Sequence, residues 1–404
     1  MRKIVFLFFL ALLASCSQRL STPFTVIVCN DQSFARTDEL VEVPISAIAE
    51  QLTLIGEEQY IILDADGCQV PYQITYDHHL LFPATVPAND SVAYTITIGE
   101  PIKSERFVYG RHYPESAEDI TWENDRMAYC VHGELEWGYD VWAKRVPHLV
   151  VEQRYANYLN PDVQAEISRL RKARKYKESN ALYQTVSCHV DHGDGLDCYK
   201  AGPTLGCGTA ALMQGGNIVY PHCWDSYEIM ENGPLRFTLK LTYGPLSVGK
   251  DNVVETRIIS LTKGSQLNKT TVSYAGLSAT TPIATGLVIH PESPAAYVLE
   301  PSKGYIAYAD PTDNASVDNG ILYVGAVMTK KITEAKPVMF TNKEVKERGA
   351  SGHVLAISNY KPDSYYTYYW GSGWSKYGFP SMSSWTDYLD HHTQLLHHPL
   401  VVSY

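Results

Sequence analysis

The stretches Phe237-Thr-Leu-Lys-Leu-Thr-Tyr243, Val253-Val-Glu-Thr-Arg-Ile-Ile-Ser-Leu261 and Thr270-Thr-Val-Ser-Tyr274 decide the fold. Each is short, rich in β-branched and aromatic residues, and close to Gly, Pro, Asn or Asp, as expected of successive strands. The pattern continues through Gly286–Ile289, Gly304–Ala309, Ile321–Met328, Val354–Ser358 and Tyr365–Trp370. So many closely spaced strands need two large packed sheets, and they predict a mainly β chain with an antiparallel supersandwich over residues 101–404. Residues 22–100 read as a separate small β-sandwich. Phe24–Cys29, Tyr60–Leu63, Gln73–Tyr76, Leu80–Phe82 and Val92–Ile98 are its strands, a short helix is expected near 46–53, and Gly99-Glu-Pro101 marks the boundary. One clear helix is expected, Asp162–Leu182, which crowds Arg169, Arg171, Lys172, Arg174, Lys175 and Lys177 into nine residues. A solvated helix and a lid over an acidic sugar both suit that composition.

Arg2 and Lys3 precede an apolar run, Ile4–Leu13, that is short for a membrane span, and Leu13-Ala-Ser-Cys16 follows. Residues 1–16 therefore read as a bacterial lipoprotein signal with Cys16 as the lipidated residue. Ser17-Gln-Arg19 lacks the acidic run that directs such proteins to the cell surface, so a lipid anchor in the outer membrane, facing the periplasm, is expected. The net charge of −11 argues against nucleic acid as a partner. The 29 Tyr and 7 Trp suit packed sheets and stacking on sugar rings, which points to carbohydrate. Beyond Cys16 the seven cysteines are odd in number and show no Cys-x-x-Cys spacing, so mostly buried free thiols, no metal and no cofactor are expected.

Chemistry concentrates in Cys188-His-Val-Asp-His-Gly-Asp-Gly-Leu-Asp-Cys-Tyr-Lys200. Gly193 and Gly195 permit backbone conformations that would aim these polar groups at a ligand, although a plain Gly-rich turn collects the same residues. His192, Tyr199 and His222 are the candidate catalytic residues, and His189 and Asp197 are candidate substrate contacts. Arg126 and Lys144 lie in charged, Trp-containing strands, where they either form structural ion pairs or bind substrate. Arg236 could clamp a uronate carboxylate or bind a nearby structural carboxylate. Alternation puts Tyr366, Tyr368 and Trp370 on one face, and Gly371 and Gly373 let Trp374 and Lys376 project, giving either a sugar platform or ordinary sheet packing. Residues 188–200, 220–236 and 366–376 are expected to converge on one concave face, bordered by the basic helix. His391-His392 and His397-His398 read as tail residues. Phosphate loops, dinucleotide-binding glycine motifs, Gly-x-Ser-x-Gly and His-Glu-x-x-His are all absent from the sequence.

Several motifs in order resemble one known family. They are Trp122-Glu-Asn-Asp-Arg126, Asp140-Val-Trp142 with Lys144-Arg145, His192-Gly-Asp-Gly-Leu-Asp-Cys-Tyr-Lys200 into Gly202-Pro-Thr-Leu-Gly206, Asn232-Gly-Pro-Leu-Arg236, and Tyr369-Trp-Gly-Ser-Gly-Trp374. The chain is identified by them as resembling the domain-of-unknown-function 4861 family of Bacteroidota and related bacteria. The resemblance implies a galactose-mutarotase-like supersandwich, a place beside polysaccharide-degrading enzymes, and dehydration of uronate-ended oligosaccharides. It leads to an eliminase, either dehydratase or lyase, acting on an acidic oligosaccharide. A mutarotase or epimerase, and a non-catalytic glycan-binding lipoprotein, are the alternatives.

Overall fold

The computed structural model describes residues 22–54, 58–134, 137–314 and 316–404, so Cys16 and its signal lie outside the described residues. The chain is mostly antiparallel β, as the strand spacing predicts. Asp251–Thr262 shows why these stretches are strands: every second residue from Val253 to Leu261 is buried. That alternation also turns Glu255 and Arg257 inward, where they satisfy each other in an ion pair.

A small sandwich holds its own core, including Val26, Val28, Ile62, Phe82 and Ile96. Its larger sheet gains an edge strand from the far end of the chain, Val401–Ser403, paired with Phe24–Asn30. A nine-stranded sheet and two five-stranded sheets share the main core, whose centre includes Trp122, Tyr129, Tyr139 and Trp370. Arg236 joins the two parts: it bonds Glu231 at the end of the nine-stranded sheet and Glu42 of the small sandwich, and approaches Asp77 at 3.5 Å.

The helices differ from expectation. Residues 162–182 form two helices, Pro161–Lys172 and Tyr176–Gln184, because Arg174 adopts a left-handed conformation (φ 58°) and reverses the chain. The turn buries Ile167 and Leu170 of the first helix and Ser179 of the second, whose hydroxyl donates to the Ile167 carbonyl. The four C-terminal histidines are not a loose tail. Met382–His397 is a helix opened by a Ser381–Ser384 capping box. His392 is half-buried against Tyr369, and desolvation lowers its pKa to about 4.

One five-stranded sheet positions the site, in the order Gly195–Asp197, Asp140–Lys144, Ala128–Val131, Asp119–Glu123, Tyr109–Tyr113. Its registers place Cys130 opposite both Thr121 and Asp140, and Trp142 opposite Asp197. With the two-residue period of a strand, Asp119, Thr121, Glu123, Cys130, His132, Asp140, Trp142, Lys144 and Asp197 share one face. The other face gives Ile120, Trp122, Tyr129, Val141 and Leu196 to the core.

Lys144 belongs to structure and not to a ligand site. Its ammonium donates to Glu123 (2.6 Å) and to the Asn124 and His148 carbonyls, fully buried. The second Glu123 oxygen accepts the backbone N–H groups of Val150 and Val151, which fixes the start of the helix Val151–Tyr158 over this face. Lys144→Met strands the Glu123 charge and should cost about 3–5 kcal/mol of stability. Lys144→Met with Glu123→Gln should recover part of that loss; chemical denaturation of the three proteins measures both.

Candidate active site

A cavity of about 380 Å³ opens on the polar face of this sheet, under the 151–158 helix. Its lining includes Asp119, His132, Asp140, Tyr155, Asp197 and Tyr199. A second cavity, of about 340 Å³ beside the small sandwich, is lined by no His, Asp, Glu, Lys or Arg.

His132 is the centre of the charge arrangement. Its Nδ1 lies 2.6 Å from Asp119 and its Nε2 3.3 Å from Asp140, so both nitrogens face carboxylates. Burial works against a charged ring, but Cys130 and the hydrogen bonds to Asp119 and Asp140 outweigh it and hold the pKa well above the usual imidazole range. The Cys130 thiol is itself pushed up to about 12 by burial and is neutral. The two carboxylates are therefore the charges that keep His132 an imidazolium. Tyr155, on the helix fixed by Glu123, hydrogen-bonds Asp119 (3.1 Å) and Thr121 (2.9 Å). Burial, then Cys130 and Asp119, raise its phenol far above the ordinary value.

Asp197 sits across from that triad in the opposite state. Burial first, and Asp140 second, raise its pKa well above the carboxylate range, which favours the protonated form, and His189 Nδ1 lies 3.7 Å from its Oδ2. The Asp197 Oδ1 is buried and has no hydrogen-bond partner. The Tyr199 hydroxyl is likewise buried and unpartnered, with its pKa raised by burial and by Cys207, Asp310 and Asp140. His189 Nδ1 lies 3.0 Å from the Asp197 carbonyl oxygen; an N–H donated there leaves Nε2 as the proton-accepting nitrogen. These residues sit on and beside the short strand Gly195–Asp197, whose close approach to Ala143 glycine makes possible. Gly195 has φ 112°, and a Cβ there would lie 2.0 Å from the Ala143 carbonyl oxygen. Arg154, itself buried, fastens the start of that strand through Asp194 and the Gly195 carbonyl.

Asp119, Cys130 and His132 are also the group among the described residues that could hold a metal ion, their ligand atoms lying within 4.8 Å of one another. The spacing fits a hydrogen bond better: 2.6 Å between Nδ1 and Oδ1 is well inside the roughly 3.3 Å between two tetrahedral ligands at about 2 Å from zinc.

The residues expected from the sequence divide sharply. His189, Asp197 and Tyr199 line the cavity. His192 turns back to the Ser187 carbonyl (3.1 Å) and does not line it. His222 is exposed elsewhere. Arg126 is half-exposed beside Asp125, and Arg236 already satisfies carboxylates at the domain junction. Tyr366 and Trp370 are fully buried, Tyr366 bonding Thr285 and Trp370 stacked on Tyr139, so they form core and not a sugar platform. Trp374 is also buried and donates to the Asn319 carbonyl, and Lys376 is held at the Asp318 carbonyl. Segments 220–236 and 366–376 thus do not join 188–200 in one site. The sequence reading overlooked Asp119, His132, Asp140 and Tyr155.

A family described as Domain of unknown function (DUF4861) matches residues 28–402. The chain belongs to that family. An "Uncharacterized protein P7" from Formosa agariphila is 24% identical over 437 residues, covering the whole of both chains. Among solved structures, an alpha-mannosidase from Enterococcus faecalis V583 matches with a TM-score of 0.48 at 9% identity, over 94% of this chain and 45% of that one. A protein in glycosyl hydrolase family 38 from Enterococcus faecalis gives a TM-score of 0.47 at 8% identity, over 94% and 47%. This DUF4861 chain spans about half the length of those two, and likeness at this level carries no argument about activity.

The raised pKa of Asp197 has a measurable consequence. Its pKa is higher folded than unfolded, so the unfolded chain loses that proton first and stability falls as pH rises from the ordinary carboxylate range to the folded value. Asp197→Asn removes this component, and the melting temperature relative to wild type should rise across that window. A constant offset at all pH values would show that folding does not shift the Asp197 pKa.

Proposed function

We infer that this DUF4861 protein is an eliminase on uronate-ended oligosaccharides, most directly a dehydratase that expels water from C4 of the terminal uronate. The observation that carries the reading is the presence, in one cavity, of Asp197 and Tyr199, each with a buried oxygen that has no hydrogen-bond partner, beside His132; burial favours the neutral form of both Asp197 and Tyr199.

Elimination next to a carboxylate is slow because removing the C5 proton adds negative charge beside one already present. Donors that neutralise the carboxylate lower that barrier, and a protonated carboxyl does so without a counter-charge. Asp197 fills this role, while the His132 imidazolium, both of whose nitrogens face Asp119 and Asp140, offsets part of their charge at the cavity wall. His189 Nε2 takes the C5 proton, and Tyr199 gives its proton to the departing C4 oxygen, so that water leaves and a C4–C5 double bond forms. Tyr199 suits the acid role because it is neutral, buried and has no competing partner. The same groups could serve a lyase, with the next sugar as leaving group, and only product analysis separates the two.

Incubation with uronate-ended oligosaccharides should produce the ultraviolet absorbance of an unsaturated uronate together with loss of one water at unchanged chain length. Shortened chains would identify a lyase. Neither signal across a broad substrate panel leaves a mutarotase or a binding protein and defeats the reading. Tyr199→Phe should lower kcat by about a hundredfold or more with little change in KM. Asp197→Asn, which keeps a donor, should retain most turnover, whereas Asp197→Ala should not; if Asp197→Asn is as inactive as Asp197→Ala, Asp197 is a base and the roles above are wrong.

The cell-envelope location is proposed on the N-terminal motif alone. Cys16→Ser should move the protein from the membrane to the soluble fraction with activity intact, and unchanged membrane association would remove the anchor from the account.

A further inference from the structure

The basic hairpin 161–184 lies at the rim of the cavity. Tyr158, which lines the cavity, receives the Gln164 side chain at its carbonyl and packs against Tyr183, 6.4 Å between ring centroids. Arg171 is close enough to act electrostatically on the Tyr158 phenol. Arg169 and Lys175 have carboxylate partners, Glu166 and Glu178. Arg171, Lys172, Arg174 and Lys177 are exposed and have no ion-pair partner among the described residues.

Helix stabilisation explains only some of these charges. Arg169, Arg171 and Lys172 occupy the last turn of Pro161–Lys172, where the helix dipole favours cations. Lys177 lies in the first turn of Tyr176–Gln184, where the dipole disfavours them, and Arg174 sits between the helices. In a chain of net charge −11, four unpaired cations within seven residues make a local field that attracts polyanions. Tyr176, 60% exposed among them, offers a ring face for stacking. A cavity of about 380 Å³ holds only the end of an oligosaccharide, and the remainder must leave across the rim.

We propose that the 171–177 turn of this hairpin is an extended subsite that binds the anionic groups, carboxylate or sulfate ester, of sugar units beyond those in the cavity, making the protein selective for longer acidic oligosaccharides. The proposal rests on the uronate reading of the cavity for its substrate class, but its test is a binding measurement that does not need turnover.

The experiment compares wild type with the variant Arg171→Gln, Lys172→Gln, Arg174→Gln, Lys177→Gln by titration with a galacturonate disaccharide, a galacturonate hexasaccharide and its sulfated counterpart, at low and high salt. Wild type should bind a hexasaccharide more tightly than the disaccharide, with an advantage that shrinks in high salt. The variant, with unchanged melting temperature, should lose about tenfold or more on the hexasaccharide and nothing on the disaccharide. Preference between the plain and sulfated hexasaccharides identifies which anion the subsite reads. Equal hexasaccharide binding by both proteins overturns the proposal, as does an equal loss on the disaccharide. Loss of binding to phosphatidylglycerol vesicles without loss on either hexasaccharide also overturns it, by assigning the cations to a membrane. Length-dependent binding without any turnover would sink the eliminase reading and leave the subsite standing.

Discussion

A buried ion pair organises the part of this molecule that holds the cavity. Lys144 and Glu123 are enclosed between the sheet and the 151–158 helix, and neither could stay there charged without the other. Glu123 uses its second oxygen on the first amides of that helix, so the pair sets where the helix begins. Tyr155 then reaches Asp119 and Thr121 only because the helix starts there. The cost of burying two charges is offset by hydrogen bonds that also lock the helix over the cavity, which explains why an apolar pair of the same volume would not serve.

The same sheet solves a second electrostatic problem. Asp119, Asp140 and Asp197 crowd one face, and three ionised carboxylates in a partly buried cavity would repel one another strongly. Their surroundings favour two different states. Asp119 and Asp140 share the charge of His132, and Asp197, pressed by Asp140 and by burial, is favoured in its protonated form. Each state depends on the other: loss of the His132 charge would leave Asp119 and Asp140 uncompensated.

Much of the fold was legible in the sequence, because a half-buried strand writes its period directly into residue order, as Val253–Leu261 does. The helix break was not, since nothing at Ala173-Arg174 marks a turn by composition. The site was legible only where it is local. His189, Asp197 and Tyr199 lie within eleven residues of one Gly-rich segment, and their chemistry is visible together. Asp119, His132, Asp140 and Tyr155 come from separate strands and a helix, and only the registers bring them to one face. That face could be sought in a sequence by aligning the alternation of neighbouring strands, starting from the charged residues at 119, 132 and 140. The aromatic run 366–374 misleads for a related reason: alternation says which residues share a face but not whether that face is inside. Here Tyr366, Tyr368 and Trp370 all turn into the core.

On the proposed reading, an acidic protein takes up an acidic sugar and must keep its negative charge away from the substrate's. The cavity does so by proton placement: one carboxyl neutral, two tied to an imidazolium, with Lys200 also in the lining. Outside the cavity the means are different, because water screens exposed charge and lone cations there contribute little. A cluster is needed, and the hairpin supplies one by turning at Arg174, so that the cationic end of one helix is continuous with the cationic start of the next. A single straight helix over 162–182 would have spread those charges around its circumference. The left-handed residue that the sequence pattern did not reveal is thus what gathers them at one end of the hairpin.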